Sequence, residues 1–435
     1  MSGRQVDFSN ELGGAPDVLE GPNENEADRQ SHFGSEPLLV TQAIPRSGVD
    51  VLRERIREFV ASNRPRNAHS RSRAERVAVQ REWAATMFDN GFAGPAWPTE
   101  FGGMDLTLSE QTVYYDEFAR QHVPAHPGNG PSIAGPTLIR YGSEAQKSRY
   151  LRAMLRGDEI WAQGFSEPEA GSDLPSLVTR AERDGDEYVV DGGKVWNTYA
   201  DVAEMMFMLV RTGPPGSGAA GISYLLVDLR SEGVTVRPLR DMSGESRFSE
   251  VFFDRVRVPV ENRVGAENGG WSLARTTLGH ERAARSLSQA SAYRQRLDAL
   301  TVLLKDTGSL DDAISRDKLA HMEIGVRILK MNALRTITHL IDSGEAGPAS
   351  STSRLFHTTI EQGLYEMAVD LLGPAALLTG GAASIQSGRW TKGFLHSRGS
   401  TIGAGTSEIQ RNTIAEQVLQ MPRDPAMATL AAEPK

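Results

Sequence analysis

Apolar residues Val51, Leu52, Ile56, Phe59 and Val60 recur at intervals of three and four, a spacing that predicts an amphipathic helix. A second such stretch runs over 74–88. A loop dense in Gly and Pro follows over 92–103, then a helical run over 109–120. Pro124, Pro127, Gly128, Gly130 and Pro131 make the next break, before further helix to about Arg156. Near Ile160 the period changes: β-branched and aromatic residues alternate over short runs separated by Gly, Asp and Pro, which predicts strands. Residues 188–190 and 194–196 flank Asp191-Gly192-Gly193, and this predicts a hairpin with an Asp-Gly turn. Further strands are predicted over 205–211, 222–229, 234–239 and 250–258. From about Trp271 the helical period returns and persists to Gln420, broken near Gly308, over 344–348, at Gly373 and over 399–405. Residues 1–45 carry no sustained apolar period and are predicted to form a disordered acidic arm. The predicted organisation is multidomain α and β: a helical N-terminal domain over 46–160, a β-barrel or sheet domain over 161–270, a C-terminal helical bundle over 271–423, and a tail over 424–435.

Composition narrows the classes. At 435 residues the chain exceeds one ordinary hydrophobic core, and about three domains are expected. No run of eighteen apolar residues offers a membrane span. The net charge is −9, and residues 1–30 hold seven acids against two arginines, so the body is close to balanced. Only 64–81 is locally basic, which predicts a solvated helix face rather than a surface for nucleic acid or membrane. With no cysteine there is no disulfide, thiolate nucleophile or Cys-ligated metal. The absence of an apolar signal core in the first residues predicts a cytoplasmic protein. Gly216, Gly218 and Gly221 have the spacing of a dinucleotide fingerprint, but a predicted strand follows where a helix is required. His280 and Glu281 begin a zinc-protease pattern whose second His is replaced by Ala284, so no metal is predicted.

Three stretches carry the candidate chemistry. The first, WAQGFSEPEAGSD over 161–173, sets hydroxyls and main-chain N–H groups along an irregular segment suited to a polar ring edge and a phosphate-bearing ligand. The second, KVWNT over 194–198, puts a large indole and a small donor two residues apart, hence on one face of a strand. The third, GSTIGAGTSEIQ over 399–410, leads into a helix that Ser407 and Gln410 would open as a capping box, with an N-terminus that favours anions. Together these stretches resemble those of the acyl-CoA dehydrogenase family of flavoproteins, over roughly residues 48–423. The resemblance implies the helical, β, helical order, a C-terminal four-helix bundle, and FAD as cofactor. It implies that Gln163, Phe165 and Ser166 contact the flavin, that Trp196 covers one flavin face with Asn197 beside it, and that the Thr198 hydroxyl reaches N5. Thr406, Ser407 and Glu408 are implied to touch FAD, as are Asp370 and Gly373. Ser172, at the cofactor as well, Gly279, Arg282 and Gly405 are implied to meet the thioester ligand.

The family's commonest pattern has its catalytic Glu where this chain has Ala404. A minority, including the isovaleryl and long-chain branches, carries the base on the first helix of the C-terminal domain immediately before an Arg, the place of Glu281 and Arg282 in TTLGHERAA. A base that removes a proton α to a thioester must be a carboxylate within hydrogen-bond reach, with its pKa raised by partial burial. The resemblance therefore implies α,β-dehydrogenation of an acyl-CoA to trans-2-enoyl-CoA, with Glu281 as base, flavin N5 as hydride acceptor and the Ala404 main-chain N–H at the thioester oxygen. Residues 295–312 lack the Arg-x-x-Phe-Gly segment that many members lend to a neighbour's FAD, and Gly373-Pro374 stands where Gly-Gly is usual. Actinobacterial heterotetramers resemble this pattern, so the implied assembly is a homotetramer or a heterotetramer with a related subunit, passing electrons to an electron-transfer flavoprotein. A flavin oxidase or monooxygenase on the same fold, and a non-catalytic subunit of a heteromer, remain alternatives. Pocket shape depends on packing, so the acyl group is not legible.

Overall fold

The computed structural model describes residues 46–65, 72–343, 347, 350–381 and 383–422. The arm over 1–45 and the tail over 424–435 lie outside the described residues. Helices α1 (Arg46–Asn63), α2 (Arg73–Asp89), α3 (Leu108–Arg120), α4 (Gly135–Tyr141) and α5 (Glu144–Arg156) come first. Capping boxes open three of them, Ser72 with Glu75, Thr107 with Glu110 and Ser143 with Gln146, each pair satisfying two otherwise orphaned N–H groups. Leu52, Ile56, Phe59 and Val60 of α1 are buried with Trp83, Phe92, Tyr114 and Phe118, as their spacing requires. The basic stretch is not the bare solvated face expected of it. Arg73 reaches Asp201 at 2.5 Å and Arg81 bonds Glu204, so α2 is tied to the strand region by two ion pairs.

Strands β1 (Trp161–Gly164), β2 (Arg180–Asp184), β3 (Glu187–Thr198), β4 (Met205–Arg211), β5 (Ile222–Asp228), β6 (Val234–Leu239), β7 (Phe248–Pro259) and β8 (Arg263–Val264) form one sheet. Its order is β6-β7-β3-β2-β4-β5-β8, with β1 parallel to β4 off this path. Alternate residues of β4 and β5 enter different cores. Met205, Phe207, Leu209, Ile222, Tyr224 and Leu226 pack with α4 and α5, whereas Met206, Met208, Val210, Leu225 and Val227 pack with β3 and β7. Burial on both faces is why these strands read as unbroken apolar runs.

The sheet corrects the predicted hairpin. Asp191, Gly192 and Gly193 lie inside β3, and the chain reverses instead between β2 and β3, where Gly185 takes a φ of +63°. An Asp-Gly pair serves a bulge as well as a turn. Here the ladder to β7 shifts register between Val190 and Gly192, and the Asp191 carboxylate accepts the Arg255 N–H at 2.8 Å. Gly192 has a φ of +143°, and a Cβ there would stand 2.8 Å from the Thr179 Cα. At 216–221 a 3-10 turn over Gly218–Gly221 leads straight into β5, the strand expected there in place of the helix that a dinucleotide fingerprint requires.

Helix α6 (Gly270–Asp306) is 37 residues long, about 55 Å at 1.5 Å per residue. Its first turns bury Leu273 and Ala274 against the sheet, and its later turns bury Tyr293, Leu297, Leu300 and Leu304 in a bundle. Helices α7 (Ala313–Ser343), α8 (Ser350–Leu372) and α9 (Arg389–Ser397) complete that bundle, and α10 (Ser407–Thr413) follows the glycine-rich loop.

Candidate active site

The first two motif stretches are bonded to one another. Past the end of β1 the chain runs beside β3, where Asn197 Nδ2 donates to the Gln163 carbonyl at 2.7 Å and the Val195 N–H to the Ser166 carbonyl at 2.9 Å. Beneath them Lys194 Nζ meets Glu167 Oε1 at 2.7 Å, with side chains 0% and 3% exposed. Lys194 also donates to the Phe165 carbonyl at 3.2 Å, and Glu167 accepts the N–H groups of Val178 and Thr179 at 2.6 and 3.0 Å. Burial lowers the Lys194 ammonium to about 8 against the pull of Glu167. Burial alone would raise Glu167, but Lys194 and the bonds from Thr179 and Val178 carry it below the usual carboxylate range. A buried pair with its remaining lone pairs satisfied is the arrangement in which attraction repays desolvation. Sequence reasoning missed this pair, although both partners lay inside the two quoted motifs, Glu167 in the first and Lys194 at the head of the second.

Trp196 and Thr198 do not share a face through unbroken alternation. The ladder to β7 shifts register between Lys194 and Asn197, and Trp196 takes a φ of +62°. That bulge leaves the indole 61% exposed, edge-on to Phe248 at 5.9 Å, while Asn197 is buried and Thr198 half-buried. Asn197 thus gives its Nδ2 to the Gln163 carbonyl, while its buried Oδ1 has no hydrogen-bond partner among the described residues. The Phe165 ring points into the core, perpendicular to Phe207 and Tyr224, so this residue offers a ligand its main chain. Ser166 is half-buried and Ser172 exposed.

In the third stretch Ala404 is exposed at a φ of +54°, and Gly405 has a φ of +90°. A Cβ on Gly405 would stand 2.3 Å from Gln410 Nε2. The predicted capping box is displaced by one residue. Thr406, extended at φ −61° and ψ 160°, is the cap of α10 and accepts the Ile409 N–H at 3.2 Å. The residue three further on is then Ile409, which has no side-chain acceptor to return the bond. Ser407 is half-buried in the first turn. Its neighbour Glu408 is exposed and held below the usual carboxylate range by its own N–H and the Thr406 hydroxyl.

Glu281, Gly279 and Arg282 lie on α6, and their side chains are outside the described residues. One turn earlier Thr277 is fully buried, its hydroxyl 2.8 Å from that of Thr137 on α4. Asp370 and Gly373 stand apart at the end of α8. Asp370 is exposed, 3.7 Å from Lys318, and Gly373 is exposed at a φ of +51°. Arg294 bonds Asp298 and Glu323, and Arg316 bonds the carbonyls of Leu310 and Asp311. Among the described residues there is no cluster of three metal-ligating side chains, and no helix is long and apolar enough to cross a membrane.

The chain matches, in order, the N-terminal domain of acyl-CoA dehydrogenase over residues 49–158, the middle domain over 162–256 and the C-terminal domain over 268–419. It is 36% identical over 358 residues to the acyl-CoA dehydrogenase IpdE1 of Mycobacterium tuberculosis, covering 80% of this chain and 90% of that protein. The acyl-CoA dehydrogenase FadE26 of the same organism is 34% identical over 357 residues, 79% of this chain and 88% of that one. Among solved structures, the Tcur3481-Tcur3483 steroid ACAD superposes with a TM-score of 0.76 at 29% identity, over 87% of this chain and 98% of that one. The ChsE4-ChsE5 complex from Mycobacterium tuberculosis gives 0.71 at 30% identity, over 88% and 99%. With all three domains matched in order and relatives above 30% identity across about four-fifths of its length, the chain belongs to the acyl-CoA dehydrogenase family, as an FAD-dependent oxidoreductase acting on acyl-CoA.

Proposed function

We propose that the chain removes the α proton and β hydride of an acyl-CoA thioester to give trans-2-enoyl-CoA, with Glu281 as the base. FAD, when bound, supplies the hydride acceptor at N5. The sheet side suits its ring. The exposed Trp196 indole offers a flat apolar face, the half-buried Thr198 a hydroxyl two residues on, and 165–166 main-chain groups along the stretch bonded to β3. Trp196, Thr198, Gln163, Phe165 and Ser166 would hold the ring, with Asn197 fixing the Gln163 carbonyl. Thr406, Ser407 and Glu408 would approach the cofactor from α10, with Asp370 and Gly373 at the end of α8. Ser172, Gly279, Arg282 and Gly405 would bind the thioester ligand.

The observation that carries the reading is the exposed methyl of Ala404 on the loop where the family's commonest base stands. A methyl accepts no proton. Glu281, one turn beyond the buried Thr277 on α6, is the carboxylate of the alternative arrangement. The Ala404 N–H survives the loss of the side chain and would meet oxyanion character at the thioester oxygen. Glu281→Gln should lower the rate of flavin reduction by about 10²-fold or more while FAD content and acyl-CoA binding persist. An undiminished rate overturns the assignment.

The likeness to a steroid ACAD supports a polycyclic acyl group, so cholyl-CoA is the first substrate to set against octanoyl-CoA. Solved relatives named as two-component complexes support a heterotetramer with a related subunit. Arg294, Arg296 and Arg316, the arginines that could take the place of the missing segment, are already paired within the chain, which favours FAD contacts supplied by such a partner. The chain purified alone should then hold less than one FAD per subunit, and full loading without a partner refutes the heteromer. Electron-transfer flavoprotein is the proposed acceptor, and oxygen uptake matching turnover would make the chain an oxidase instead.

A further inference from the structure

The loop over 399–405 has little stiffness of its own. Gly399, Gly403 and Gly405 fall within seven residues, and Ala404 holds a left-handed backbone that an alanine keeps only when its surroundings impose it. The constraint comes from one face of α8. Arg354 donates through one guanidinium nitrogen to the carbonyls of Ser400 and Gly403, the second of them on the residue immediately before Ala404. Two turns along, Glu361 accepts the Ser400 hydroxyl, and Gln362 donates to the Ser397 carbonyl at 3.1 Å. The two N–H bonds of that planar nitrogen diverge at a fixed angle, so sharing it between two carbonyls fixes their separation as a freely rotating ammonium does not.

Both ties are backed by α6. Arg354 reaches His357 Nδ1 at 2.9 Å, and His357 Nε2 lies 2.6 Å from the Tyr293 hydroxyl. Arginine only donates, so Nδ1 accepts and Nε2 carries the proton toward Tyr293. Glu361 lies 3.8 Å from Arg296, whose guanidinium is 4.6 Å from the Tyr293 ring centre and 5.9 Å from that of Tyr365. Glu361 is 7% exposed, His357 7% and Tyr293 1%, so this polar seam runs through the inside of the bundle. Buried, bonded polar networks of this kind select one arrangement of the elements they join.

We propose that Arg354 and Glu361 are positioning residues for the dehydrogenation: from α8 they hold the 399–405 loop so that the Ala404 N–H stays aimed at the thioester oxygen. This rests on the reading of the loop given under the proposed function. The test uses the FAD-loaded protein, with its partner subunit if loading requires one. It compares Arg354→Gln, Ser400→Ala and Ser400→Thr by hydrogen exchange of the 399–405 amides, FAD content, and kcat and KM with whichever of cholyl-CoA and octanoyl-CoA the wild type turns over. Exchange of the substrate α proton with deuterated water follows proton abstraction without hydride transfer.

In Arg354→Gln the loop amides should exchange about tenfold faster or more. kcat and α-proton exchange should fall by about 10- to 100-fold, below the 10²–10³ for removing an oxyanion donor outright, with KM and FAD content within about threefold. Ser400→Ala should move the same way by about threefold, and Ser400→Thr, which keeps the hydroxyl, should return near wild type. The Ser400 pair decides the matter if Arg354→Gln does not fold. Unchanged loop exchange overturns the proposal directly. Faster loop exchange with unchanged kcat and α-proton exchange overturns it through the reading beneath, because the loop would then not touch the reaction. Faster exchange throughout the sheet strands as well would make Arg354 a general structural residue and overturn it too.

Discussion

The two sides of the candidate site are held by different means. On the sheet side the segment over 163–167 is fastened to β3 by a main-chain bond, an asparagine and a buried ion pair, and its Gln163 and Gly164 lie in the ladder of β1 to β4. On the loop side the segment over 397–405 hangs from side chains of a single helix, Arg354, Glu361 and Gln362. A backbone ladder cannot be loosened without unfolding the strands beside it. Side-chain ties can be cut one at a time. The geometry of the stretch proposed to face the flavin is therefore coupled to global stability, while that of the loop proposed to face the thioester is coupled mainly to local order.

The largest contrast should come from removing one tie on each side. Lys194→Met strands the Glu167 carboxylate in the core without its cation, and urea unfolding should show a loss of about 3–5 kcal/mol. Ser400→Ala should cost about 1 kcal/mol, one hydrogen bond. Combining Lys194→Met with Glu167→Gln should recover most of the loss. If it does not, the pair is no simple charge match.

A glycine on each side gives a smaller contrast. Gly192→Ala forces a Cβ against Thr179 at a φ that disfavours any side chain, and should cost about 1–3 kcal/mol in thermal or urea unfolding. Gly403→Ala meets nothing nearer than the Gly399 carbonyl at 3.7 Å, and by restricting the unfolded chain it should raise stability by about 0.4–1 kcal/mol. Equal losses at both positions would erase the distinction between the two sides.

The smallest effect is expected where the two sides meet. His396 on α9 stacks on Phe248 of β7 and lies 3.7 Å from Asp241. Burial, with Arg247 nearby, holds its imidazole below the ordinary 6.5 although Asp241 pulls the other way. The folded chain then binds this proton less readily than the unfolded one, so the stability it contributes is lost as pH falls from about 6.5 through the lower folded value. His126, pushed down to about 4 by burial, adds a loss of the same sign over 6.5 to 4. The His396 part is therefore the difference between wild type and His396→Gln in unfolding followed across that window, and identical pH profiles would remove it.

Much was legible in the chain alone because it depends on local period and on motifs that are contiguous. The change from a spacing of 3.6 to 2 near Ile160 and back near Trp271 gave the order of helices and strands. β4 and β6 fall on the residues that the alternating and apolar runs indicate, 205–211 and 234–239. Family membership followed from three short stretches. The tertiary structure decided what those stretches could not, because each decision needs a partner distant in sequence. Asp191-Gly192 is a bulge because Thr179 crosses over it, and Trp196 faces outward because the ladder to β7 slips there. Arg73 and Arg81 of α2 are paired because Asp201 and Glu204 lie opposite. Glu167 and Lys194 became one group only when β1 and β3 met, and Arg354 became an anchor only when the bundle brought α8 beneath a loop 46 residues further along. A periodic pattern records which face of an element is buried. It does not record what lies on the other side of that face, and there the contacts that hold the site are made.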